Sequence, residues 1–276
     1  MTKRLAYLGP AGTFTEAAAV RYDEHAQRLP FTSIAAVAAA VEAGMANEGV
    51  VPIENSLEGS VTDTLDLLIH ESELLICHEI VIPIEHCLLV KHGGSIEDVS
   101  IVYSHPQALG QCRRFIERCF PKAQVVASLS TAAAVEDMLG SDIPSAAIAP
   151  SRAAEIYGAM ILAQGIQDNQ VNFTRFVVLS HQDHEPTGSD KTSVCFSFSE
   201  DKPGIFYSVL GEFANRELNL VKVESRPNKE SLGRYIFLVD LEGHRNDQLV
   251  KEALSALDAS SDMMKIFGSY PKHSDG

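Results

Sequence analysis

The chain has 276 residues, enough for one large domain or two smaller ones at about 150 residues apiece, and either can bury a core without staples. Asp and Glu number 37 against 22 Lys and Arg, a net charge of −15, which argues against roles that reward clustered cations on nucleic acid or an anionic membrane. Five cysteines (Cys77, Cys87, Cys112, Cys119 and Cys195) lack C-x-x-C or paired Cys/His spacing, so free buried thiols, no structural metal and a reducing cytosol are expected. The start breaks at Gly9-Pro10 before a signal-peptide core can form, and no apolar run approaches the ~20 residues of a membrane span. A soluble, cytoplasmic protein is expected.

In chain order, Leu5–Leu8 reads as a strand, and Thr13-x-x-Glu16 has capping-box spacing, so Thr13 starts a helix. Val50–Ile53, Ile80–Ile84 and Ser100–Tyr103 are further strands. Ala108, Leu109, Cys112, Phe115, Ile116 and Cys119 recur at helical spacing. Gly140 and Gly158 sit where helix C-caps belong, and Ala146–Ala149 and Phe176–Leu179 are strands. This repetition predicts an α/β part with mostly parallel sheets. The polar stretch 181–191 contains Pro186 and Gly188 and reads as a linker. Beyond it come strand Thr192–Phe198, a turn at Asp201-Lys-Pro-Gly, helix Ile205–Asn215, strand Asn219–Glu224 and a loop at Asn228–Gly233. Strand Arg234–Leu241, helix Asp247–Leu257 and strand Met264–Gly268 complete a βαββαβ order, that of a small ferredoxin-like sandwich.

Four loops of the first part could carry chemistry: Gly9-Pro-Ala-Gly-Thr, Glu54-Asn-Ser, Ser104-His-Pro-Gln and Asn172-Phe-Thr-Arg-Phe. Three lie at strand C-termini before helices, where open α/β sheets bind ligands and where helix N-termini favour an anion. Their Ser, Thr, Asn and Gly residues serve equally well as caps and turns. Arg175, at a loop–strand junction, can fork onto a carboxylate or form a structural ion pair. Most other cations of this part (Arg21, Arg28, Arg113, Arg114 and Arg118 among them) are predicted on helices and facing water. His105 precedes Pro106 and reads as a turn residue rather than a general base. Neither a P-loop nor a dinucleotide-binding glycine pattern occurs. Composition and spacing yield a two-part protein with a cleft for a small anion.

As a set, five stretches resemble the prephenate dehydratase family, which converts prephenate to phenylpyruvate, water and carbon dioxide in phenylalanine biosynthesis. They are Leu8-Gly-Pro-Ala-Gly-Thr-Phe-Thr, Val51-Pro-Ile-Glu-Asn-Ser-Leu-Glu-Gly-Ser-Val, Ser104-His-Pro-Gln-Ala-Leu-Gly-Gln-Cys, Ser130-Thr-Ala-Ala-Ala and Asp168-Asn-Gln-Val-Asn-Phe-Thr-Arg-Phe. Residues 191–270 are similar to the family's ACT domain, with Glu224-Ser-Arg-Pro matching its ligand motif. The resemblance implies a two-lobed, periplasmic-binding-protein-like catalytic domain over 1–180, with lobe one at 1–77 and 167–180 and lobe two at 78–166. It further implies a linker at 181–190 and a ferredoxin-like ACT domain at 191–270. No chorismate mutase segment precedes residue 1, so the monofunctional form is expected.

By the same resemblance, Thr174 helps the ring hydroxyl depart, with Glu54, Asn55, Ser104 and Gln111 as further catalytic residues. Arg175, Phe176, Ser56, Thr13 and Gln107 would bind the substrate. Gln107 and Gln111, four apart, share a helix face. Gly204, Ile205, Glu224, Ser225, Arg226 and Pro227 would bind L-phenylalanine between paired ACT domains and give feedback inhibition in a homodimer or homotetramer. Gly204-Ile-Phe-Tyr stands where the family often has Gly-Ala-Leu, so Ile205 and Phe206 would narrow that pocket. Neither a metal nor an organic cofactor is implied. Two alternatives remain: a dehydratase preferring arogenate, in which an amine replaces the keto group, and a non-catalytic amino-acid sensor.

Overall fold

The computed structural model describes residues 2–198, 202–229 and 234–273. The chain begins β1 (Arg4–Leu8), α1 (Phe14–Tyr22), β2 (Gln27–Phe31), α2 (Ile34–Glu42), β3 (Glu48–Asn55), β4 (Gly59–Ser60) and α3 (Thr62–Asp66). A π-helical turn, Leu67–Glu71, leads to β5 (Leu75–Pro83), β6 (Cys87–Val90), β7 (Ile101–Ser104), α4 (Pro106–Gln111), α5 (Arg113–Cys119) and β8 (Gln124–Ala127). Then follow α6 (Thr131–Gly140), β9 (Ser145–Ala149), α7 (Ser151–Tyr157), β10 (Met160–Ala163) and β11 (Phe173–Ser180). The C-terminal part runs β12 (Asp190–Ser197), α8 (Ile205–Ala214), β13 (Leu220–Pro227), β14 (Tyr235–Glu242), α9 (Gln248–Ser260) and β15 (Met263–Pro271). Two compact units result: residues 1–62 with 80–176, and residues 63–79 with 177–276.

One sheet has the order β2-β1-β3-β11-β5 with β4 beside β3, and β1 runs parallel to β2 and β3. A second sheet, within the first unit, has the order β10-β6-β9-β7-β8. There β7 is parallel to β8 and β9, while β6 runs antiparallel to β9 and β10. The second sheet is therefore mixed rather than mostly parallel: β9, α7 and β10 form a parallel crossover, and β6 lies reversed between its two strands. Helices beside both sheets make the α/β, periplasmic-binding-protein-like arrangement.

Strands β2, β8 and β10 escaped the sequence reading for a common reason. Each is the last strand of its sheet, paired on one side only, and none alternates: β2 carries Pro30, β8 opens on a glutamine, and β10, Met-Ile-Leu-Ala, is apolar throughout. Strand β6, Cys-Leu-Leu-Val, is buried on both faces, and four apolar residues carry neither period. Arg28 accordingly lies on β2 rather than on a helix.

The helix predicted through 108–119 is broken at Cys112. In an unbroken helix the Gln111 carbonyl would accept from Phe115 and the Arg114 N–H would donate to Gly110. Instead Asp168 intervenes: its N–H donates to the Gln111 carbonyl at 2.7 Å, and its carboxylate accepts from the Arg114 N–H at 3.1 and 3.2 Å. The tertiary cap ends α4 at Gln111 and starts α5. Elsewhere the caps are local. The Thr13 hydroxyl accepts from the Glu16 N–H, Ser130 does the same for Ala133, and Gly158 closes α7 in the left-handed conformation. Gly140 is the last residue of α6, whose cap is Ser141.

The second unit carries the sheet β13-β14-β12-β15, antiparallel throughout, with α8 and α9 on it, in the expected ferredoxin-like order. Its core is built from Val194, Phe196, Val209, Phe213, Leu241 and Leu257. Gly268, at φ 138°, lies so close to residues 63–79 that a Cβ there would sit 2.2 Å from the Ile76 carbonyl oxygen, so only glycine fits. The turn expected from Asp201 and the loop Asn228–Gly233 fall partly on residues 201 and 230–233, outside the described residues, as do the last three of His273-Ser-Asp-Gly. None of the five cysteines is in a disulfide. Burial pushes Cys87 up to about 11 and Cys112 and Cys195 up to about 12, whereas Cys119 is exposed rather than buried.

Asp66 is an ionic anchor of this unit, 3.0 Å from the Arg226 guanidinium and 2.6 Å from the Lys229 ammonium. Burial alone would raise its carboxyl above the ordinary 3.8, but the Lys229 hydrogen bond and the Arg226 charge outweigh burial and hold it lower. A depressed carboxyl contributes stability above its unfolded value and loses it as pH falls through the lower folded value. Asp66→Asn is therefore expected to reduce stability at neutral pH and to flatten the acid limb of the denaturation midpoint below about pH 4. Identical acid limbs for variant and parent in chemical denaturation would contradict this.

Candidate active site

Within the first unit lies a cavity of about 390 Å³, inside the ~300–1,000 Å³ typical of small-molecule sites. Thr13, Asn55, Thr174 and Phe176 line it from the elements of the first sheet, and Gln107, Gln111 and Ser130 from those of the second. His86, on the chain crossing between β5 and β6, completes the polar wall.

The centre of the site is a chain of amides. Asn55 ends β3, and its Oδ1 accepts from the backbone N–H groups of Leu57 and Glu58 at 2.9 and 3.1 Å, a local Asx turn. Two backbone donors fix which end of this amide is oxygen. Its Nδ2 therefore donates, to Asn172 Oδ1 at 2.8 Å, to Thr174 Oγ1 at 2.9 Å and to the Phe173 carbonyl at 3.2 Å. The Asn172 Nδ2 in turn donates to Gln111 Oε1 at 3.1 Å. Thr174, nearly buried, thus receives a hydrogen bond on its oxygen and keeps its own proton for another acceptor.

Strand pleating sorts the other expected residues. In β11, Thr174 and Phe176 line the cavity, and Arg175 between them does not. Arg175 lies inside the strand rather than at its mouth, because Ser56 already ties down Phe173. The Ser56 hydroxyl accepts from the Phe173 N–H at 2.9 Å, and the Ser56 N–H donates to the Phe173 carbonyl at 2.9 Å. The Arg175 Nη1 stands 3.5 Å from Glu54 Oε2, and Glu54 likewise falls outside the cavity lining. Ser104 is fully buried, and its hydroxyl donates to the Ile148 carbonyl at 2.6 Å, away from the cavity. His105 caps α4 by accepting from the Gln107 N–H at 3.3 Å, lines the cavity, and has its basicity lowered by burial.

Among the described residues, no Lys, Arg, Asp or Glu lines the cavity. Positive potential comes instead from two helix N-termini at its edge, α1 after Thr13 and α6 after Ser130. The α6 end is the stronger, since Glu16 puts a carboxylate beside the start of α1, on the Gly12 N–H at 2.7 Å. Gly12, at φ 86°, lets this loop meet α7, where a Cβ would lie 3.1 Å from Ala153 Cα. The Tyr157 hydroxyl donates to the Ala11 carbonyl at 3.2 Å from the same helix. Among the described residues, no group of three His, Cys, Asp or Glu side chains is arranged to hold a metal ion.

The sequence gives His86 no role and brings in Asn172 and Asp168 only as members of distinctive stretches, without a part of their own. The placement of His86 opposite a glutamine 25 positions away has no local signature.

In the second unit, Gly204 precedes α8 in the left-handed conformation and Ile205 opens the helix. Glu224, Ser225, Arg226 and Pro227 lie on β13, the end strand of its sheet, with Ser225 and Pro227 exposed and Arg226 held by Asp66. Phe206 stacks on Phe237 with ring centres 4.5 Å apart and packs against the unit's own core, so it is not turned toward the helix start, where Ile205 is placed.

Residues 5–184 match the family model for prephenate dehydratase, and residues 193–259 match that for the ACT domain. A bifunctional chorismate mutase/prephenate dehydratase of Aquifex aeolicus (strain VF5) is 46% identical over 270 residues, which cover 98% of this chain and 74% of that protein. A prephenate dehydratase of Mycobacterium sp. (strain JLS) is 37% identical over 284 residues, 97% of this chain and 89% of that one. The solved structure of a prephenate dehydratase from Arthrobacter aurescens in complex with L-Phe has a TM-score of 0.90 at 38% identity and covers 98% of this chain and 90% of its own. The chain belongs to the prephenate dehydratase family of lyases and carries an ACT domain.

Proposed function

We propose that the cavity of the first unit converts prephenate to phenylpyruvate, with Thr174 as the group that meets the departing hydroxyl. The observation that carries this reading is the polarity of the Asn55–Thr174 hydrogen bond: the threonine oxygen accepts, so its proton is directed elsewhere. In the reaction the bond from the ring to its carboxylate breaks and carbon dioxide leaves. The electron pair enters the ring, and the ring hydroxyl departs with the pair of its own C–O bond. Thr174 hydrogen-bonds that oxygen and passes it a proton, which solvent restores. A threonine hydroxyl is a weak acid, and the Asn55 amide offsets this by donating to Oγ1 as negative charge develops there. Hydrogen bonds to charged groups contribute about 1.5–3 kcal/mol. Gln107, Gln111, Thr13 and the N-terminal end of α6 orient the dianion, and Phe176 supplies apolar contact to the ring.

The absence of a carboxylate from the lining favours the keto acid over its amine analogue, because the ammonium of arogenate would be desolvated without a counter-ion. The catalytic domain in this proposal spans 1–180 as two lobes, 1–77 with 167–180 and 78–166. The two crossings form its hinge, bonded to each other by Ile84 N–H to the Asn172 carbonyl at 2.8 Å and Ile166 N–H to the His86 carbonyl at 3.1 Å. After the linker 181–190, the ACT domain 191–270 binds L-phenylalanine through Gly204, Ile205 and Glu224–Pro227. It does so between paired copies of a cytoplasmic homo-oligomer, and it lowers activity by favouring one of two states.

Three measurements test this reading. Thr174→Ala should keep a native circular dichroism spectrum while kcat falls by about 10²–10⁴-fold, with Thr174→Ser recovering a substantial part; near-normal turnover of the alanine variant removes Thr174 from the mechanism. The kcat/KM for prephenate should exceed that for arogenate by at least about tenfold, the effect of roughly 1.4 kcal/mol; the reverse order rules out the charge argument. Phenylalanine titration should depress phenylpyruvate formation, and a titration that changes neither activity nor assembly state rejects the regulatory role.

A further inference from the structure

The orientation of the Asn55 amide reaches one residue beyond the mechanism above. With Asn55 Oδ1 pinned by two backbone N–H groups, its Nδ2 must donate to Asn172 Oδ1, so the Asn172 Nδ2 must donate to Gln111 Oε1. Gln111 Oε1 is thereby an acceptor. His86 Nε2 lies 2.9 Å from the same oxygen, and an acceptor facing Nε2 requires the proton to be on Nε2. Burial lowers the basicity of His86, which favours a neutral ring and leaves Nδ1 bare. Consistent with that tautomer, Nδ1 is buried without a hydrogen-bond partner among the described residues.

The residue is held rigidly. Its N–H donates to Gln167 Oε1 at 3.0 Å and its carbonyl accepts from Ile166 at 3.1 Å. The ring meets Phe14 edge-on with centres 5.5 Å apart. Gln111, by contrast, closes a helix cut short by Asp168, and a glutamine side chain has three rotatable bonds. Held at Oε1 by Asn172 and His86, the amide spends one Nε2 hydrogen near Glu58 Oε1 at 3.4 Å and retains the other. Gln111 lines the cavity, so this second hydrogen is available to an oxygen of the guest.

We propose that His86 is a positioning residue for the dehydratase reaction: as the Nε2–H tautomer it locks the Gln111 amide with its oxygen toward the hinge and an N–H available to the substrate. The inference rests on the dehydratase reading. It adds that this wall of the site is oriented from the crossing between the two lobes.

The variants His86→Gln, His86→Asn and His86→Leu separate the roles. A glutamine amide reaches the place of Nε2, an asparagine amide only that of Nδ1, and leucine keeps apolar volume against Phe14 while donating nothing. His86→Leu and His86→Asn should lose about 10²-fold in kcat/KM, the scale of a misplacement near 1 Å, with His86→Gln recovering most of the loss. A packing role predicts the opposite order, leucine equalling or exceeding glutamine, and that order overturns the proposal. Long-range ¹H–¹⁵N NMR of the unaltered protein, without substrate, should find His86 protonated at Nε2 and bare at Nδ1. The other tautomer overturns the proposal even if every variant unfolds. Failure of the unaltered protein to form phenylpyruvate removes the dehydratase reading, and the NMR result then still decides whether the His86–Gln111 bond exists.

Discussion

Two backbone N–H groups, those of Leu57 and Glu58, set the polarity of the whole site by donating to Asn55 Oδ1. A lone buried amide can be turned end for end at little cost; this one cannot, because backbone nitrogens have no acceptor form. The constraint propagates outward in both directions. Toward β11 it makes Thr174 an acceptor from Asn55 and so leaves its proton for a guest. Toward the hinge it makes Gln111 an acceptor and so assigns the His86 tautomer. The two proposed roles, Thr174 as proton donor and His86 as the Nε2–H tautomer, therefore share one cause. It lies in the turn that ends β3, a place chosen by local backbone geometry rather than by substrate. Buried networks of this kind gain more than the sum of their pairs, and for the same reason lose disproportionately when one member is removed.

The same site depends on a break in a helix. Had residues 106–119 formed one continuous helix, the Gln111 carbonyl would be turned inward to Phe115. The Asp168 N–H takes that carbonyl and the Asp168 carboxylate starts the next helix, so Gln111 becomes a terminal residue facing the opposite sheet. Asp168 lies on the second crossing, four residues before Asn172, which donates to the Gln111 side chain. One short segment thus fixes both the backbone and the amide of Gln111. The first crossing does the corresponding work through His86, and the two crossings are hydrogen-bonded to each other. In the proposed two-lobe reading, crossings tied together this way would orient the Gln111 wall of the cavity as well as serve as the hinge.

What could be read without coordinates follows from this. Central strands of the α/β part and the βαββαβ order have strong short-range patterns, and Thr13 announces its helix by capping-box spacing alone. Edge strands β2, β8 and β10 do not, since they are only four or five residues long and none alternates. Asn55, Thr174, Phe176, Thr13, Gln107 and Gln111 were legible as a set because each stands in a distinctive stretch, and all six line the cavity. Ser104 stands in an equally distinctive stretch, yet its hydroxyl holds the Ile148 carbonyl. A motif gives proximity to a site, and the side-chain direction is decided by the pleat and by partners distant in sequence. Arg175 illustrates the same limit: alternation along β11 turns it away from the cavity when Thr174 turns toward it.

That alternation has a chemical consequence for the proposed reaction. Decarboxylation requires a carboxylate to give up its charge to the ring, and a guanidinium gripping that carboxylate would stabilise the charge where it must be lost. Tight uniform binding of a dianion lowers KM without speeding the chemical step. With Arg175 turned out of the lining, the cavity offers hydroxyls, amides and the ends of α1 and α6 instead, neutral or partly charged donors that orient without clamping. The one place where charge builds up, the departing oxygen, is then served by Thr174, whose own oxygen is supported by Asn55. On this argument the lack of Lys and Arg in the cavity lining is part of how it would favour loss of carbon dioxide together with water, and an arginine turned into it would exchange turnover for affinity.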